Sequence, residues 1–173
     1  DFSESKDVSN NCAELILPGG AYNDRFTAYL DIIAEYAKAL QEKDIPILFR
    51  PYHENTGSWF WWGSATSEET YKSLWRYTQE YLQSQGVHNM IYVYSPNGPV
   101  TSEADYLKRY PGDEYVDVLA FDYYDDYNNY PATYDDSFFT SLRTTCQVVS
   151  GLAEKRGKIA AISETGVRVM KKD

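Results

Sequence analysis

At 173 residues the chain is long enough for one domain with its own core and too short for several, since domains usually run to about 100 to 150 residues. Its formal net charge of −10 comes from acids scattered along the sequence; this repels polyanions and argues against a nucleic-acid partner, and no run reaches the roughly 18 to 20 apolar residues of a membrane span. Tyrosine is the outlier, with 17 Tyr beside 4 Trp, and such rings, apolar on the face and polar at the tip, suit a partner that is itself amphipathic, as a sugar ring is.

In chain order, residues 1–23 read as a long loop, and helix and strand alternate over 24–173. The opening DFSESKD has no signal-peptide pattern. Cys12 and Cys146 stand alone, without metal-ligand spacing, and a disulfide or two thiols are equally open. In TAYLDIIAEYAKALQEKD, Leu30, Ile33, Ala34, Ala37 and Leu40 make one apolar stripe at helical spacing. IPILFRPYH (45–53) then reads as a buried strand. Thr66 followed by Glu69 has the capping-box spacing, and it opens a helix through Tyr71, Leu74, Trp75, Thr78 and Leu82 that stops at Gly86. NMIYVYSPN (89–97) is a second strand, SEADYLKRY a short helix and VDVLAFDYY (116–124) a third strand. DSFFTSLRTTCQVVSGLAEKRG carries a helical stripe of Phe138, Leu142, Cys146, Val149 and Leu152, closed by Gly157. GKIAAISET (157–165) is the fourth strand.

Strand and helix in regular alternation indicate a parallel α/β protein with right-handed crossovers. The open doubly wound sheet and the closed eight-stranded barrel compete, and the absence of a Gly-rich phosphate loop after any strand counts against the first. In both architectures chemistry gathers at the carboxyl ends of the strands. Three of the four ends here are polar or aromatic: RPYHEN, FDYYDDY and SETG.

Glu54 and Glu164 each lie just past the apolar part of a strand. Paired carboxylates are what glycosidic cleavage requires, one to protonate the leaving oxygen and one to meet the positive charge developing at the sugar carbon. A general acid must keep its proton near neutral pH, whereas a free Glu titrates at about 4.3. The aromatic run Trp59, Phe60, Trp61, Trp62 offers apolar walls that raise that value by desolvating the charged form. Arg50, four residues before Glu54, would point to the same side of a regular strand; it either keeps a catalytic carboxylate ionised or orders the mouth with an ion pair. His53 adjoins Glu54, while His88 sits at a helix-to-strand turn on the surface. Trp62 and Tyr94 are sugar platforms or core filling, Trp61 and Tyr92 packing residues, and Tyr123 and Tyr127 either. Asp122 and Asn97, at strand ends, recognise hydroxyls or cap loops. DDYNNY (125–130) shapes the cleft, and its two Asp and two Asn also permit a calcium site. The two-carboxylate chemistry itself calls for no cofactor or metal.

RPYHENTGSWFWWG (50–63), with ISETG further on, resembles the acid/base and nucleophile motifs of glycoside hydrolase family 26, whose best-known members are endo-β-1,4-mannanases. The resemblance implies a (β/α)8 TIM barrel in which Glu54 closes the fourth strand as acid/base and Glu164 closes the seventh as nucleophile. Retention of configuration is then implied, with carboxyl groups roughly 5 to 5.5 Å apart. It further implies that His53 contacts the nucleophile or the sugar beside it, that Trp59 packs at the sugar under attack, and that Tyr124 hydrogen-bonds the nucleophile. Arg50, Trp62 and Tyr94 complete the candidate substrate-facing set. The partner is a β-mannan polysaccharide or oligosaccharide, so export or cell-surface display is expected.

A complete barrel of this type takes about 250 residues and rarely fewer than 200. The chain is therefore expected to cover about strands four to seven of a longer polypeptide, an incomplete barrel that is inactive alone. A β-glucanase or xylanase of the same family, and a non-catalytic carbohydrate-binding domain using the same aromatics, are the alternatives.

Overall fold

A computed structural model describes residues 11–125 and 136–167. The elements are α1 (Cys12–Ile16), α2 (Asn23–Gln41), β1 (Ile47–Phe49), α3 (Glu68–Ser84), β2 (Met90–Tyr94), α4 (Glu103–Leu107), a 3-10 turn (Asp113–Tyr115), β3 (Val118–Asp125), α5 (Ser137–Arg156) and β4 (Ile159–Val167). The strands form one parallel sheet in the order β1-β2-β3-β4. A doubly wound sheet reverses its order at a switch point. Here the order runs unbroken, with a helix between each pair of strands, which is the wall of a (β/α)8 barrel. The chain is thus a half-barrel, as its length led us to expect.

Alternation along the strands sorts the side chains onto two faces. Val93, Val118 and Ala120 pack together on the inner face with Ile91 and Ala161. On the outer face Tyr92, Tyr94, Leu119 and Phe121 meet Tyr71 and Trp75 of α3 and Val149 and Leu152 of α5. A smaller outer cluster joins Leu30, Ala34 and Ala37 of α2 to Leu82 and Val87, with Ile47 and Phe49 against it. β3 is covered on both sides, and its first five residues are buried.

Three expectations need correction, and a fourth feature carries no mark in the sequence. Residues 11–22 are not all loop: Ala13 is fully buried in α1, and Asn23 Nδ2 ties the next helix back to the Ile16 carbonyl at 2.8 Å. The strand expected over 45–53 is cut to three residues, because Pro51 brings no N–H to a ladder and Tyr52 and Glu54 take left-handed φ values of 52° and 51°. The cap of α3 is Ser67, whose hydroxyl accepts from the Thr70 N–H at 3.1 Å; Thr66 instead donates to the Trp61 carbonyl at 2.8 Å, and Glu69 pairs with Lys72. Finally, β3 and β4 do not pair in uniform register: Phe121 faces Ile162 but Asp122 faces Glu164, so Ser163 is an extra residue, the signature of a β-bulge. The C-terminal cap of α5 is as expected, with Gly157 left-handed at φ 63°.

Candidate active site

The left-handed turn carries residues 50–63 off the end of β1 and over the carboxyl ends of the strands. The loop is clasped at several points. Glu54 N–H bonds to the Ser95 carbonyl at 2.7 Å and Ser64 N–H to the Gly57 carbonyl at 2.8 Å. Trp62 Nε1 donates to the His53 carbonyl at 2.7 Å. Asn55 Nδ2 donates to the Tyr71 hydroxyl at 3.0 Å, which in turn donates to the Tyr52 carbonyl at 3.0 Å. Beneath it Tyr52 meets Trp61, Trp62, Tyr71 and Trp75 edge-on, with ring centroids 6.0 to 6.5 Å apart. A non-glycine residue held at positive φ is costly unless its surroundings fix it, and these contacts do so at Glu54.

Glu54 is 8% exposed and accepts a hydrogen bond from Trp59 Nε1 at 2.6 Å. The indole lies so close to the turn that a Cβ at Gly57 would sit 2.3 Å from its ring. Burial is the main force on Glu54 and pushes its pKa up, the charge of Asp122 adds to this, and the Trp59 N–H works against it. Glu164 stands opposite. Burial also disfavours its charge, but Arg50 Nη2, which donates to Oε1, and the Tyr124 hydroxyl, which donates to Oε2 at 3.0 Å, outweigh that and hold its pKa below the ordinary value. Oxygens of Glu54, Asp122 and Glu164 all lie within 4.8 Å of one another. Two carboxyl groups thus meet across one cleft with environments that drive their titrations apart, the pattern that separates an acid from a nucleophile.

Of the residues singled out from sequence, Glu54, Glu164, Trp59, Tyr124 and Arg50 converge here. Arg50, however, is past the end of β1, and it grips Asp122 and Glu164 rather than Glu54. The His53 ring lies against Phe60 and Trp62, centroids 5.0 and 6.0 Å away. Trp62 stacks on Phe60 at 4.3 Å and is half-buried. Tyr94 is not a sugar platform: it is 1% exposed and packs edge-on to Trp75, Tyr106 and Tyr110 on the outer face of the sheet. Strand alternation points Tyr94 at the helices and Ser95 into the barrel, a parity that its place in YSPN did not disclose. Asp122, read as a hydroxyl-recognition or capping residue, is wholly buried and bonds Arg50 Nη1 at 2.8 Å. Tyr127 and the calcium alternative at 125–130 fall mostly on 126–130, outside the described residues.

The family model for glycosyl hydrolase family 26 matches residues 6–171. The chain belongs to glycosyl hydrolase family 26. Within family 26 it is 42% identical over 172 residues to a mannan endo-1,4-beta-mannosidase of Bifidobacterium adolescentis, a match covering 96% of this chain and 17% of that protein. The catalytic domain of the Bacillus sp. JAMB-750 GH26 endo-beta-1,4-mannanase superimposes with a TM-score of 0.86 at 38% identity, over 99% of this chain and 47% of that one. A modular endo-beta-1,4-mannanase from Cellulomonas fimi gives 0.85 at 43% identity, over 94% and 36%. The chain therefore spans about half the length of the first of these solved domains and under a fifth of the Bifidobacterium protein.

Proposed function

We propose that this chain carries the catalytic pair of a retaining endo-acting hydrolase of β-1,4-mannosidic bonds in mannan, glucomannan or galactomannan. One observation carries the reading: two carboxyl groups within 4.8 Å, one raised in pKa by burial and the other lowered by Arg50 and Tyr124. That spacing fits the roughly 5 to 5.5 Å between the carboxyl groups of retaining enzymes better than the roughly 6.5 to 9.5 Å with which inverting enzymes seat a water beside the sugar.

In the first step Glu164 attacks the anomeric carbon while Glu54 gives its proton to the departing glycosidic oxygen. A glycosyl ester on Glu164 results, and the leaving sugar departs with a free hydroxyl. In the second step Glu54, now a carboxylate, takes a proton from water as that water attacks the same carbon, and Glu164 leaves as a carboxylate. Arg50 and Tyr124 keep the nucleophile charged until it bonds. Trp59 orients Glu54 and offers its ring to the sugar. The substrate class rests on the mannanase relatives, and a polymer of that kind is met outside the cell, so we place the protein in the secreted or cell-surface fraction.

Replacing Glu54 and Glu164 separately by Gln in the complete polypeptide tests the reading. Each should lower hydrolysis of galactomannan by at least about a thousandfold, as expected when a group needed only at the transition state is removed, while binding of the polymer persists. Full turnover in either variant would refute the pair. Preferential hydrolysis of mixed-linkage glucan or xylan by the parent would move the substrate to another polysaccharide, and binding without turnover would leave a carbohydrate-binding domain.

A further inference from the structure

We propose that Ser95 and Ser163 act as one buried hydroxyl pair that, through Asp122, aims the Arg50 fork at Glu164, which makes them positioning residues for the reaction proposed above, on which this inference rests. Ser95 Oγ lies 2.8 Å and Ser163 Oγ 2.6 Å from Asp122 Oδ1, and the single proton of each hydroxyl is shared among that oxygen, the other serine and, for Ser163, the Phe121 carbonyl at 3.0 Å. The two hydroxyls are themselves 2.6 Å apart. Asp122 Oδ2 takes Arg50 Nη1 at 2.8 Å, and Arg50 Nη2 donates to Glu164 Oε1. A carboxylate with no exposure keeps its charge only if donors meet both oxygens. Arg50 serves one oxygen, and the serines serve the other.

The planarity of the guanidinium turns this anchoring into aim. With Nη1 fixed on a buried partner, the direction of Nη2 follows from the plane of the group. Ser163 has the strand parity of the inward-facing Ala161, and the bulge brings Glu164 to that face as well. In a regular strand Ser163 and Glu164 would point to opposite faces; the extra residue in β4 lets both project toward Asp122 and Arg50, the kind of re-aiming that bulges perform beside active sites. Ser95, 1% exposed, comes to the same layer from the inner face of the neighbouring strand.

The groups acting on Glu164 are Arg50, Tyr124, His53, Glu54 and Asp122, and the Arg50 contact is the largest of those that lower its pKa. Loosening Arg50 should therefore raise the Glu164 titration. The experiment uses the complete polypeptide with 13C-labelled Glu side chains, the Glu164 signal being assigned by its loss in Glu164→Gln. In Ser163→Ala, and in the Ser95→Ala, Ser163→Ala double variant, the Glu164 carboxyl should titrate higher by about half a unit to one unit, a change of the size expected for a displaced charge-assisted bond. On galactomannan kcat should fall about tenfold with KM little changed, the acidic limb of the pH profile should follow the titration upward, and Ser163→Thr should restore both.

A Glu164 titration that stays at the parent value in folded Ser163→Ala protein overturns the proposal. So does a downward movement, because the serines would then be controlling the charge of Asp122 rather than the aim of Arg50. Should the double variant fail to fold, the single variant decides. A shifted titration in a polypeptide that hydrolyses none of the three polysaccharides would uphold the positioning and sink the hydrolase reading. An unshifted titration in an active enzyme would do the reverse.

Discussion

Glu54 and Trp59 are five positions apart in sequence and joined by one short hydrogen bond, so the indole N–H tunes the acid directly. Because that bond favours the carboxylate, Trp59→Phe should push the Glu54 pKa higher still. The alkaline limb of kcat/KM, which reports the acid in the free enzyme, should then move up by about one unit, as expected for a lost hydrogen bond to a charged group. In the parent the profile should be a bell whose acidic limb, set by Glu164, lies below the ordinary Glu value and whose alkaline limb, set by Glu54, lies above it. A profile with both limbs at ordinary carboxylate values would contradict the assignment of roles. Tyr94 makes the complementary case. Since it packs in the core, Tyr94→Phe should leave KM for manno-oligosaccharides unchanged and cost about 1 kcal/mol in denaturant unfolding for its hydroxyl bond to the Tyr106 carbonyl.

At the scale of elements, capping offers a direct comparison. Ser67→Ala should cost about 1 kcal/mol of stability through the lost N-cap, read as a lower denaturation midpoint. Thr66→Ala should act differently, by freeing the Trp61 carbonyl and so loosening the aromatic loop. Helices with long apolar stripes, and strands with continuous apolar runs, were legible in the sequence because burial imposes those periods. Glu54 was legible because four large aromatic residues begin five positions after it, and Glu164 because it closes an apolar strand in SETG. Three things were hidden. The bulge at Ser163 has no compositional mark, as it arises from how two strands pair. The left-handed φ at Tyr52 and Glu54 goes against residue preference and is held only by tertiary bonds. The burial of Asp122 depends on Arg50, 72 positions away, and no local pattern records such a partner.

For the whole molecule, the flanking strands β1 and β4 have no further partner strand among the described residues. Leu48 on β1 and Ile159 on β4 are 70% and 65% exposed, and apolar side chains beside unpaired strand edges invite association. The 173-residue chain on its own should self-associate as its concentration rises, detectable by light scattering, and Leu48→Lys should reduce this. The same openness predicts little or no galactomannan hydrolysis by the isolated chain beside a longer polypeptide. The grip of Arg50 on Glu164 spans 114 positions and joins the two outermost strands, so no shorter stretch can pre-assemble the cleft. Contacts so remote carry a large loop-closure cost and form late. During refolding, helical ellipticity should return first, and the ability to trap a glycosyl ester should come only with the slowest phase.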